Sequence, residues 1–584
     1  MNKIILCLFA VFLLFGSSSA QKKNITNINL PRPIEFPDMS VGGELLIRAM
    51  KNFDRLESEI YQPENVFIDY KHSTPDVWAG DKEGRIILGL VLEARATHRT
   101  PLYLEKIIQM LPKRMNAKGY LGQIYKNTID EQQLSGHGWL LRGLCEYYEW
   151  KKDPEVKKYI INIIKNLALP TKGFHKNYPI DPENRIKNTG EMTGTSQNLV
   201  NGWNLSSDVG CDFIFMDGVV HAYSLFPSLK LKTLIDEMIT RFFEMDVVAI
   251  KAQTHATLTG LRAVLRYYAI TGDKELLKKV VERYQLYRDL AITENYENYN
   301  WFERPEWTEP CAIIDSYLLS VQLWQYTQNQ DYVEDAQHIY YNAICHTQRS
   351  NGGFGCDNCP GPIDNFIKVN ADEAYWCCTM RGGEGLARAI QYNYFQNADT
   401  IIVPSFNTSK ATFKINGKNF AIEQETQYPF ANKVNFRIDN LKRNIKFTLK
   451  LFVPGWIKNV IIYKNGNRCD FTNRNGFVIY TSSFQTGDNI EFSFDMNSGI
   501  ESIMNSKHSR PGYVRLFYGP LLLGYVGDKE LSVKNDTKII KTKGSGFSIK
   551  DEQVILSPVY HLMDSKVCQN AGYKKQILFK LNNN

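Results

Sequence analysis

Two short motifs bring together residue types that bind soft divalent metal ions. Glu309-Pro310-Cys311 places a carboxylate and a thiol two positions apart, and Cys377 and Cys378 are adjacent thiols. One carboxylate and three thiols make a four-ligand set that Zn²⁺ accepts in tetrahedral geometry. The spacing alone is equally compatible with three buried thiols and one surface acid.

The segment from Glu294 to Cys311 is rich in both acidic and aromatic side chains. It contains five carboxylates and five aromatic residues within eighteen positions. Aromatic rings suit the C–H faces of a sugar, while carboxyl groups can donate and accept the protons that bond cleavage requires. For any single glutamate here, a place in a solvated acidic loop is the simpler interpretation.

The remaining cysteines favour ligands over a disulfide framework. Ten cysteines follow the N-terminal segment, so five disulfides are formally possible. Adjacent Cys377 and Cys378 fit such a framework poorly, and a chain of this size can build a large core without one. The pair Cys356-x-x-Cys359 is a rival metal or redox motif, although this short pattern is weak evidence by itself.

The order Glu294, then Glu309-x-Cys311, then Cys377-Cys378 resembles glycoside hydrolase family 127 and its relatives, the β-L-arabinofuranosidases. The Glu-x-Cys plus Cys-Cys signature is specific, and the resemblance spans most of the chain. It implies that Glu309, Cys311, Cys377 and Cys378 ligate zinc. It also implies that Cys377, the first thiol of the doublet, attacks the anomeric carbon of the sugar.

The same resemblance implies that Glu294 is the acid/base. Glu294 lies fifteen residues before Glu309, one fewer than the separation in the family, so Glu297 remains a rival. One position departs from the family pattern: Thr379 follows the cysteine doublet, where the better-known branch of the family has proline. The resemblance gives no role to Cys356 and Cys359 and leaves the identity of the sugar open.

Histidines that contact the sugar in the family look similar to two histidines of this chain. These are His137 in Ser135-Gly136-His137-Gly138-Trp139 and His255 in Gln253-Thr254-His255-Ala256. His221 is a third and poorer candidate. As lone residues, all three are equally compatible with ordinary histidines on helix faces.

The chemistry of a zinc-bound thiol supports this interpretation. A thiolate is a good nucleophile, and zinc keeps Cys377 deprotonated near neutral pH while shielding it from oxidation. In a retaining mechanism a carboxyl group first protonates the leaving oxygen, and the same carboxylate then activates water. Two successive inversions give net retention at the anomeric carbon.

The elements that would position these residues are predicted to be helical from about residue 80 to 395, where apolar residues recur at spacings of three and four. An aromatic helix end followed by a polar turn with Asp recurs near 147–155, 267–275 and 324–332, with a weaker copy near 96–103. Successive turns are about 55 to 60 residues apart, or about twice that distance. A repeat of this length holds two helices and their loops. We therefore predict an (α/α)6 toroid over residues 63–397, with an irregular helical bundle as the alternative.

A change of pattern after Asn397 predicts an all-β region over residues 398–584. Short β-branched and aromatic runs are cut there by Asn-Gly and Gly-Asn turns, which is typical of a β-sandwich. Residues 21–62 carry no strong signal, and we expect them to lend a strand to the β part.

The N-terminus predicts export. A basic start, an apolar run from Ile4 to Phe15 and small residues up to Ala20 are typical of a signal peptide over residues 1–20. No later run of about 18 apolar residues predicts a transmembrane segment. The formal charge of +7 is spread over the chain without a basic block, so we expect no nucleic-acid partner. The mature protein is expected in the periplasm or outside the cell.

These observations predict a secreted, zinc-dependent, retaining exo-glycosidase that acts on arabinofuranose or a similar sugar in plant-derived glycans. A non-catalytic glycan-binding protein with a structural zinc site is an alternative, because aromatic residues serve binding as well as catalysis. A lyase or unsaturated-uronide hydrolase on the same toroid is a second alternative.

Overall fold

The computed structural model describes residues 30–67, 78–185, 194–361, 364–504, 511–562 and 573–582. The predicted signal peptide and Cys568 lie outside these residues. The helices of the described part are α1 (Gly43–Leu56), α2 (Pro63–Val66), α3 (Asp81–Thr97), α4 (Leu104–Arg114), α5 (Glu131–Lys151), α6 (Pro154–Ile163), α7 (Asp212–Leu225), α8 (Leu229–Glu244), α9 (Thr254–Thr271), α10 (Lys274–Leu290), α11 (Pro310–Thr327), α12 (Asp331–Ile339), α13 (Cys345–Thr347) and α14 (Cys378–Gln391).

Six of these helices form a closed inner ring. Each of α3, α5, α7, α9, α11 and α14 packs against the next, and α14 returns to pack against α3. The helices α4, α6, α8, α10 and α12 pack on the outside of α3, α5, α7, α9 and α11 in turn, and α1 packs on both α14 and α3. The predicted (α/α)6 toroid is therefore confirmed, and its outer layer includes α1, which precedes residue 63.

The two layers differ in their burial because they have different neighbours. Inner helix α7 is buried at every position from Asp212 to Ala222, whereas outer helix α8 buries residues such as Leu231, Leu234 and Ile235 at spacings of three and four. The second pattern is that of an amphipathic helix with one face towards the core. Each outer helix therefore covers one side of the ring.

Close contact between neighbouring inner helices depends on glycine. A Cβ atom at Gly84 of α3 would lie 2.1 Å from the main-chain nitrogen of Leu140 in α5. Since real Cβ atoms do not approach backbone so closely, a larger residue at position 84 would force α3 and α5 apart.

The strands, mostly in the C-terminal part, are β1 (Arg32–Pro33), β2 (Met39–Val41), β3 (Ile129–Asp130), β4 (Ser196–Val200), β5 (Trp203–Ser206), β6 (Cys356–Asp357), β7 (Val369–Ala371), β8 (Phe395–Asn397), β9 (Thr400–Val403), β10 (Ser409–Ile415), β11 (Lys418–Thr426), β12 (Lys433–Asp439), β13 (Ile445–Phe452), β14 (Ile457–Lys464), β15 (Asn467–Cys469), β16 (Thr472–Arg474), β17 (Phe477–Phe484), β18 (Asn489–Met496), β19 (Ser498–Ser502), β20 (Tyr513–Tyr518), β21 (Leu521–Gly527), β22 (Ser532–Lys534), β23 (Ile539–Lys541), β24 (Phe547–Ile549), β25 (Ile555–Pro558), β26 (Lys574–Gln576) and β27 (Phe579–Asn582).

Two of the sheets make the predicted β-sandwich. One has the order β1-β8-β9-β13-β17-β16 and the other β15-β14-β18-β12-β11-β10-β2. Their inner faces meet where Phe420 stacks on Phe447 with ring centroids 5.0 Å apart. Burial alternates strictly along β10, as expected for a strand with one face on a core and one towards water. The N-terminal strands β1 and β2 each lie at the edge of one sheet.

A third sheet of nine strands is built from β19 to β27. It contacts the helical ring, since the amide of Asn342 donates to the carbonyl of Pro520 at 2.8 Å. Within the described residues, no helix is both long enough and apolar enough to cross a membrane.

Candidate metal and nucleophile site

The four residues predicted to bind zinc meet in the structure. The ligand atoms of Glu309, Cys311, Cys377 and Cys378 all lie within 4.8 Å of one another. The Cys378 Sγ lies 3.5 Å from the Cys311 Sγ and 3.4 Å from the Cys377 Sγ. Cys377 is half-buried and the other three residues are buried.

Helix N-termini position all four side chains. Glu309 is the residue before α11 and Cys311 is its second residue, while Cys377 precedes α14 and Cys378 begins it. Because α11 and α14 are neighbours in the inner ring, their first turns bring residues distant in sequence together. A helix N-terminus carries a partial positive charge, which favours thiolates and carboxylates.

The donor set fits a zinc ion. Two sulfurs that are each about 2.3 Å from a tetrahedral zinc lie about 3.8 Å from one another, close to the separations of the three thiols. Three thiolates and one carboxylate carry more negative charge than one divalent ion neutralises. Arg85 of α3 offsets part of it, since its Nη1 lies 3.4 Å from the Cys311 Sγ.

The pKa values of all three thiols are raised. Burial raises the pKa of both Cys311 and Cys378 well above the ordinary value. A hydrogen bond from Cys311 lowers the pKa of Cys377, but the hydrogen bond with Cys378 and burial raise it well above that value. A neutral thiol is a poor nucleophile and a poor metal ligand, and a bound cation would favour the thiolate form of these side chains.

The Glu309 carboxylate is held by two neighbours. Its Oε1 lies 3.3 Å from the His255 Nδ1, and its Oε2 accepts a hydrogen bond of 3.3 Å from the Gln253 side chain. The His255 ring stacks on Trp139, and its Nε2 lies 3.5 Å from the Asp315 carboxylate. His255 therefore lies between the Glu309 carboxylate and Asp315, which is in the interior of the ring.

A network of buried charges fills that interior. Asp315 pairs with Arg262 and Arg381 at 2.5 Å each. Glu384 accepts from Arg262 at 2.7 Å and from Arg142 at 3.0 Å, and it also pairs with Arg381. These groups are buried, so each charge depends on its partners rather than on water.

The predicted acid/base Glu294 contacts the third sheet. Its Oε2 accepts a hydrogen bond of 2.8 Å from the main-chain nitrogen of Met504 and lies 3.7 Å from the Arg515 Nη1. Arg515 also donates to the main-chain oxygen of Glu294 at 3.0 Å. The side chain is buried, and its position therefore depends on a domain that follows the ring in sequence.

The rival Glu297 belongs to a second buried cluster. Its Oε1 lies 3.8 Å from the His346 Nε2, which in turn lies 3.3 Å from the Asp357 Oδ2. Burial and the Asp357 carboxylate raise the pKa of Glu297 to about 7. Although burial raises the pKa of Asp357, Arg349 and His346 hold it below the ordinary value.

This second cluster adjoins the first. Thr308, next to Glu309, exchanges main-chain and hydroxyl hydrogen bonds with Asp357 at 2.8 and 3.0 Å. The ligand-type atoms of Glu297, His346 and Asp357 also lie within 4.8 Å of one another. However, Arg349 donates to Asp357 at 2.8 Å, and this fixed positive charge competes with a metal ion.

The other predicted histidines have hydrogen-bond and ion-pair partners outside the four-residue cluster. Both ring nitrogens of His137 have main-chain partners, Gln133 at 2.8 Å and Leu121 at 3.1 Å, and burial lowers its pKa to about 4. His221 accepts from Arg142 at 2.5 Å and faces Glu149, towards the C-terminal ends of the inner helices. A sugar contact for His137 stays a prediction.

Cys356 and Cys359 have different neighbours. A hydrogen bond with Cys356 is among the influences that raise the pKa of Cys378, whereas the Cys359 Sγ lies 3.9 Å from the carbonyl of Asn298. All nine cysteines of the described part are free thiols. Cys356 is thus a fourth thiol beside the predicted ligands.

Sequence reasoning did not identify Arg85, Asp315, His346 or Asp357. Each is a single charged or polar residue without a local motif, far along the chain from the residue that it contacts. Tertiary packing of the ring helices and of the segments that connect them brings these residues together.

Known proteins resemble this chain in one domain and in overall fold. The family model described as the β-L-arabinofuranosidase GH127 middle domain matches residues 400–496, which span β9 to β18. None of the curated proteins compared with the chain is significantly similar to it.

Solved structures match almost the whole chain. A GH127 β-L-arabinofuranosidase from Geobacillus stearothermophilus T6 has 15% sequence identity and a TM-score of 0.69, covering 93% of this chain and 100% of that one. A second GH127 β-arabinofuranosidase has 16% identity and a TM-score of 0.71, covering 94% and 98%. The predicted resemblance is confirmed: residues 400–496 match the model of the GH127 middle domain, and most of the chain has the fold of the GH127 structures.

Proposed function

We propose that this protein is a retaining exo-acting glycoside hydrolase of the β-L-arabinofuranosidase kind, with Cys377 as its nucleophile and Glu294 as its acid/base. The observation that carries the proposal is the convergence of Glu309, Cys311, Cys377 and Cys378. The GH127 middle domain and the GH127 fold support it.

In this proposal the four residues bind Zn²⁺. When bound, the ion lowers the pKa of the Cys377 thiol so that it is a thiolate near neutral pH. Gln253 and His255 contact the Glu309 carboxylate and orient it. Contacts to a ligand side chain commonly tune the affinity for the metal.

The reaction takes two displacements. In the first, the Cys377 Sγ attacks the anomeric carbon while the Glu294 carboxyl group gives its proton to the departing glycosidic oxygen. In the second, the Glu294 carboxylate takes a proton from water, the resulting hydroxyl attacks the same carbon, and the carbon–sulfur bond breaks to restore the thiolate. Each displacement inverts the anomeric carbon, so its configuration is retained overall.

Glu297 remains the alternative acid/base. Its raised pKa suits a group that must carry a proton near neutral pH, whereas Glu294 has the position that the resemblance favours. His137 and His255 are proposed sugar contacts, and the substrate is a carbohydrate exposed to an exported enzyme.

Release of free sugar from an aryl β-L-arabinofuranoside tests this function. Cys377→Ala should lower the rate about 10⁴-fold or more, the scale seen when a covalent nucleophile is removed. Cys469→Ala is the matched control, because Cys469 is a free, partly exposed thiol of β15 outside the cluster. An active Cys377→Ala protein would refute the thiol mechanism and favour a lyase or uronide hydrolase that uses water or a general base.

The non-catalytic alternative makes a separate prediction. A glycan-binding protein would retain glycan without releasing reducing sugar, and its affinity would not change in Cys377→Ala. A wild-type protein that binds arabinofuranosyl glycans but never cleaves them would establish that alternative.

A further inference from the structure

Three buried side chains outside the thiol cluster bring ligand-type atoms close together. They are Glu297, from the segment before α11, His346 of α13 and Asp357 of β6. Their ligand-type atoms lie within 4.8 Å of one another. This second cluster therefore has the compactness of a site for a single ion.

The His346 ring is held in one tautomer. Its Nδ1 lies 3.0 Å from the main-chain oxygen of Val559, and a carbonyl oxygen only accepts hydrogen bonds. Nδ1 therefore carries a hydrogen, and the Nε2 of the neutral ring has a free lone pair. That Nε2 lies 3.3 Å from the Asp357 Oδ2 and 3.8 Å from the Glu297 Oε1.

The cluster lacks hydrogen-bond donors. Within the described residues, the His346 Nε2, the Asp357 Oδ2 and the Glu297 Oε2 make no hydrogen bond of normal geometry. Buried acceptor atoms without partners are costly, and neighbouring lone pairs repel one another. A positive charge between these atoms would remove both penalties. In the metal-free chain a proton partly meets this need, since burial and Asp357 raise the pKa of Glu297 to about 7.

Each of the three side chains is also held by a hydrogen bond from outside the cluster. The Glu297 Oε1 accepts from the Asn295 side chain at 2.7 Å, and the Asp357 Oδ1 accepts from Arg349 at 2.8 Å. His346 has the main-chain carbonyl described above. Metal ligands in proteins are commonly oriented by such an outer set of hydrogen bonds.

Arg349 weakens a cation site here without blocking it. Its guanidinium group contacts the Asp357 Oδ1 and leaves the Oδ2 open towards His346. Two carboxylates and one guanidinium leave one net negative charge beside a neutral imidazole. A divalent ion is therefore still attracted, although less strongly than by the three thiolates and one carboxylate of the thiol cluster.

We propose that Glu297, His346 and Asp357 form a second metal site, which binds a divalent ion of the zinc type. An imidazole nitrogen suits zinc, whereas Ca²⁺ and Mg²⁺ prefer oxygen ligands alone. Ligands about 2.0–2.1 Å from a tetrahedral zinc lie about 3.3–3.4 Å apart, which matches the separation of the His346 Nε2 and the Asp357 Oδ2. An ion would draw Glu297 a few tenths of an ångström closer. The inference does not depend on the proposed hydrolase activity.

An ion at this site would brace the thiol cluster from outside. It would join α13 and β6 to the segment that contains Glu297. The main-chain nitrogen of Thr308, the residue before Glu309, donates to the main-chain oxygen of Asp357 at 2.8 Å. The second ion would thus fix the segment that supplies Glu309. With Glu297 as a ligand, Glu294 keeps the acid/base role.

Titration with Zn²⁺ tests the second site. Because its net charge is small, a mild chelator should empty it and leave the thiol cluster occupied. Isothermal titration of the chelator-treated wild type should then show one further ion per chain. His346→Gln and Asp357→Asn should bind this ion about 100-fold more weakly or not at all, since loss of a ligand costs more than the 10–100-fold typical of an outer partner.

His338→Gln is the matched control. His338 is also a buried histidine, and its Nδ1 lies 3.2 Å from the main-chain oxygen of Pro520. Among the described residues it belongs to no group of metal-type ligands. This variant should bind the further ion as tightly as the wild type.

Two results would overturn the proposal. A wild type that binds no further Zn²⁺ shows that a proton alone holds the cluster together. Equal binding by the wild type, His346→Gln and Asp357→Asn places the ion elsewhere on the protein.

The wild type alone decides the question if neither variant folds. Zinc-soaked wild-type crystals, measured above and below the zinc absorption edge, should show an anomalous peak between the three side chains. No peak at that position refutes the site. A wild type that binds this ion but cleaves no glycoside would refute the proposed function and leave the second site established.

Discussion

The Sγ atoms of Cys311 and Cys378 lie 3.5 Å apart, although 67 positions separate the two residues in the sequence. The contact exists because α11 and α14 are adjacent in the inner ring and begin at the same end. Two thiols at this distance are neither bonded to one another nor independent. Their separation matches two ligands of one tetrahedral ion.

The first prediction is that the wild-type protein holds one zinc ion per chain. Cys378→Ser should lose most of this zinc, because serine offers a hydroxyl in place of one of the three thiolates of the set. Elemental analysis of protein passed through a mild chelator measures the content, with Cys469→Ser expected to equal the wild type. Equal zinc in Cys378→Ser and the wild type would contradict the assignment of this ligand.

The second prediction separates the two candidate acid/base residues. Glu294→Gln should slow hydrolysis of an alkyl glycoside by about 10²–10⁴-fold. The same variant should slow an activated aryl glycoside much less, because an acidic phenol leaves without a proton. Rates on both substrates, with and without azide as a replacement nucleophile, measure this difference.

Glu297→Gln provides the comparison for that experiment. It should slow both glycosides by the same factor if Glu297 only supports the local structure. If Glu297 is the acid/base, the dependence on the leaving group and the rescue by azide should be observed in Glu297→Gln and not in Glu294→Gln.

The third prediction concerns stability and pH. Glu297 has a pKa of about 7 in the folded protein against an ordinary value of 4.5, so between these values the folded chain holds a proton that the unfolded chain releases. Its contribution to stability is full below pH 4.5 and is lost as pH rises through about 7. Glu297→Gln removes this titration, so its Tm should fall less than that of the wild type between pH 5 and pH 8. Parallel Tm curves from differential scanning fluorimetry would show that Glu297 does not titrate in this range.

The fourth prediction tests the charged interior of the ring. Glu384→Gln leaves Arg142, Arg262 and Arg381 without the carboxylate that they share, and breaking a buried ionic group of this type costs about 3–5 kcal/mol. The midpoint of thermal unfolding should fall by several degrees. Glu423→Gln is the control, since Glu423 pairs with Lys410 and Arg437 on an exposed face, where a pair is worth under about 1 kcal/mol.

Local patterns predicted much of this fold. Apolar spacing and recurring turns predicted the ring, and Asn-Gly turns between β-branched runs predicted the sheets. The adjacent thiols and the Glu-x-Cys motif predicted the ligand set, because each half of that set is contiguous in the sequence. Sequence analysis therefore identified the candidate ligands that lie next to one another in the chain.

Long-range partners could not be predicted in this way. Glu297 meets His346 and Asp357 only because β6 runs beside Thr308, and His255 meets Asp315 only because α9 and α11 are neighbours. The contact of Glu294 with Met504 and Arg515 depends on how the third sheet docks on the ring. Such contacts follow from tertiary packing, which a single sequence does not encode in any short pattern.

Ring closure has a consequence for the growing chain. Cys377 and Cys378 stand at the start of α14, the last of the six inner helices, and Arg85 beside Cys311 comes from α3, the first. A polypeptide interrupted before α14 lacks two of the four proposed metal ligands and the helix that completes the ring. The four-residue set can therefore be complete only in molecules whose synthesis and folding have passed that point.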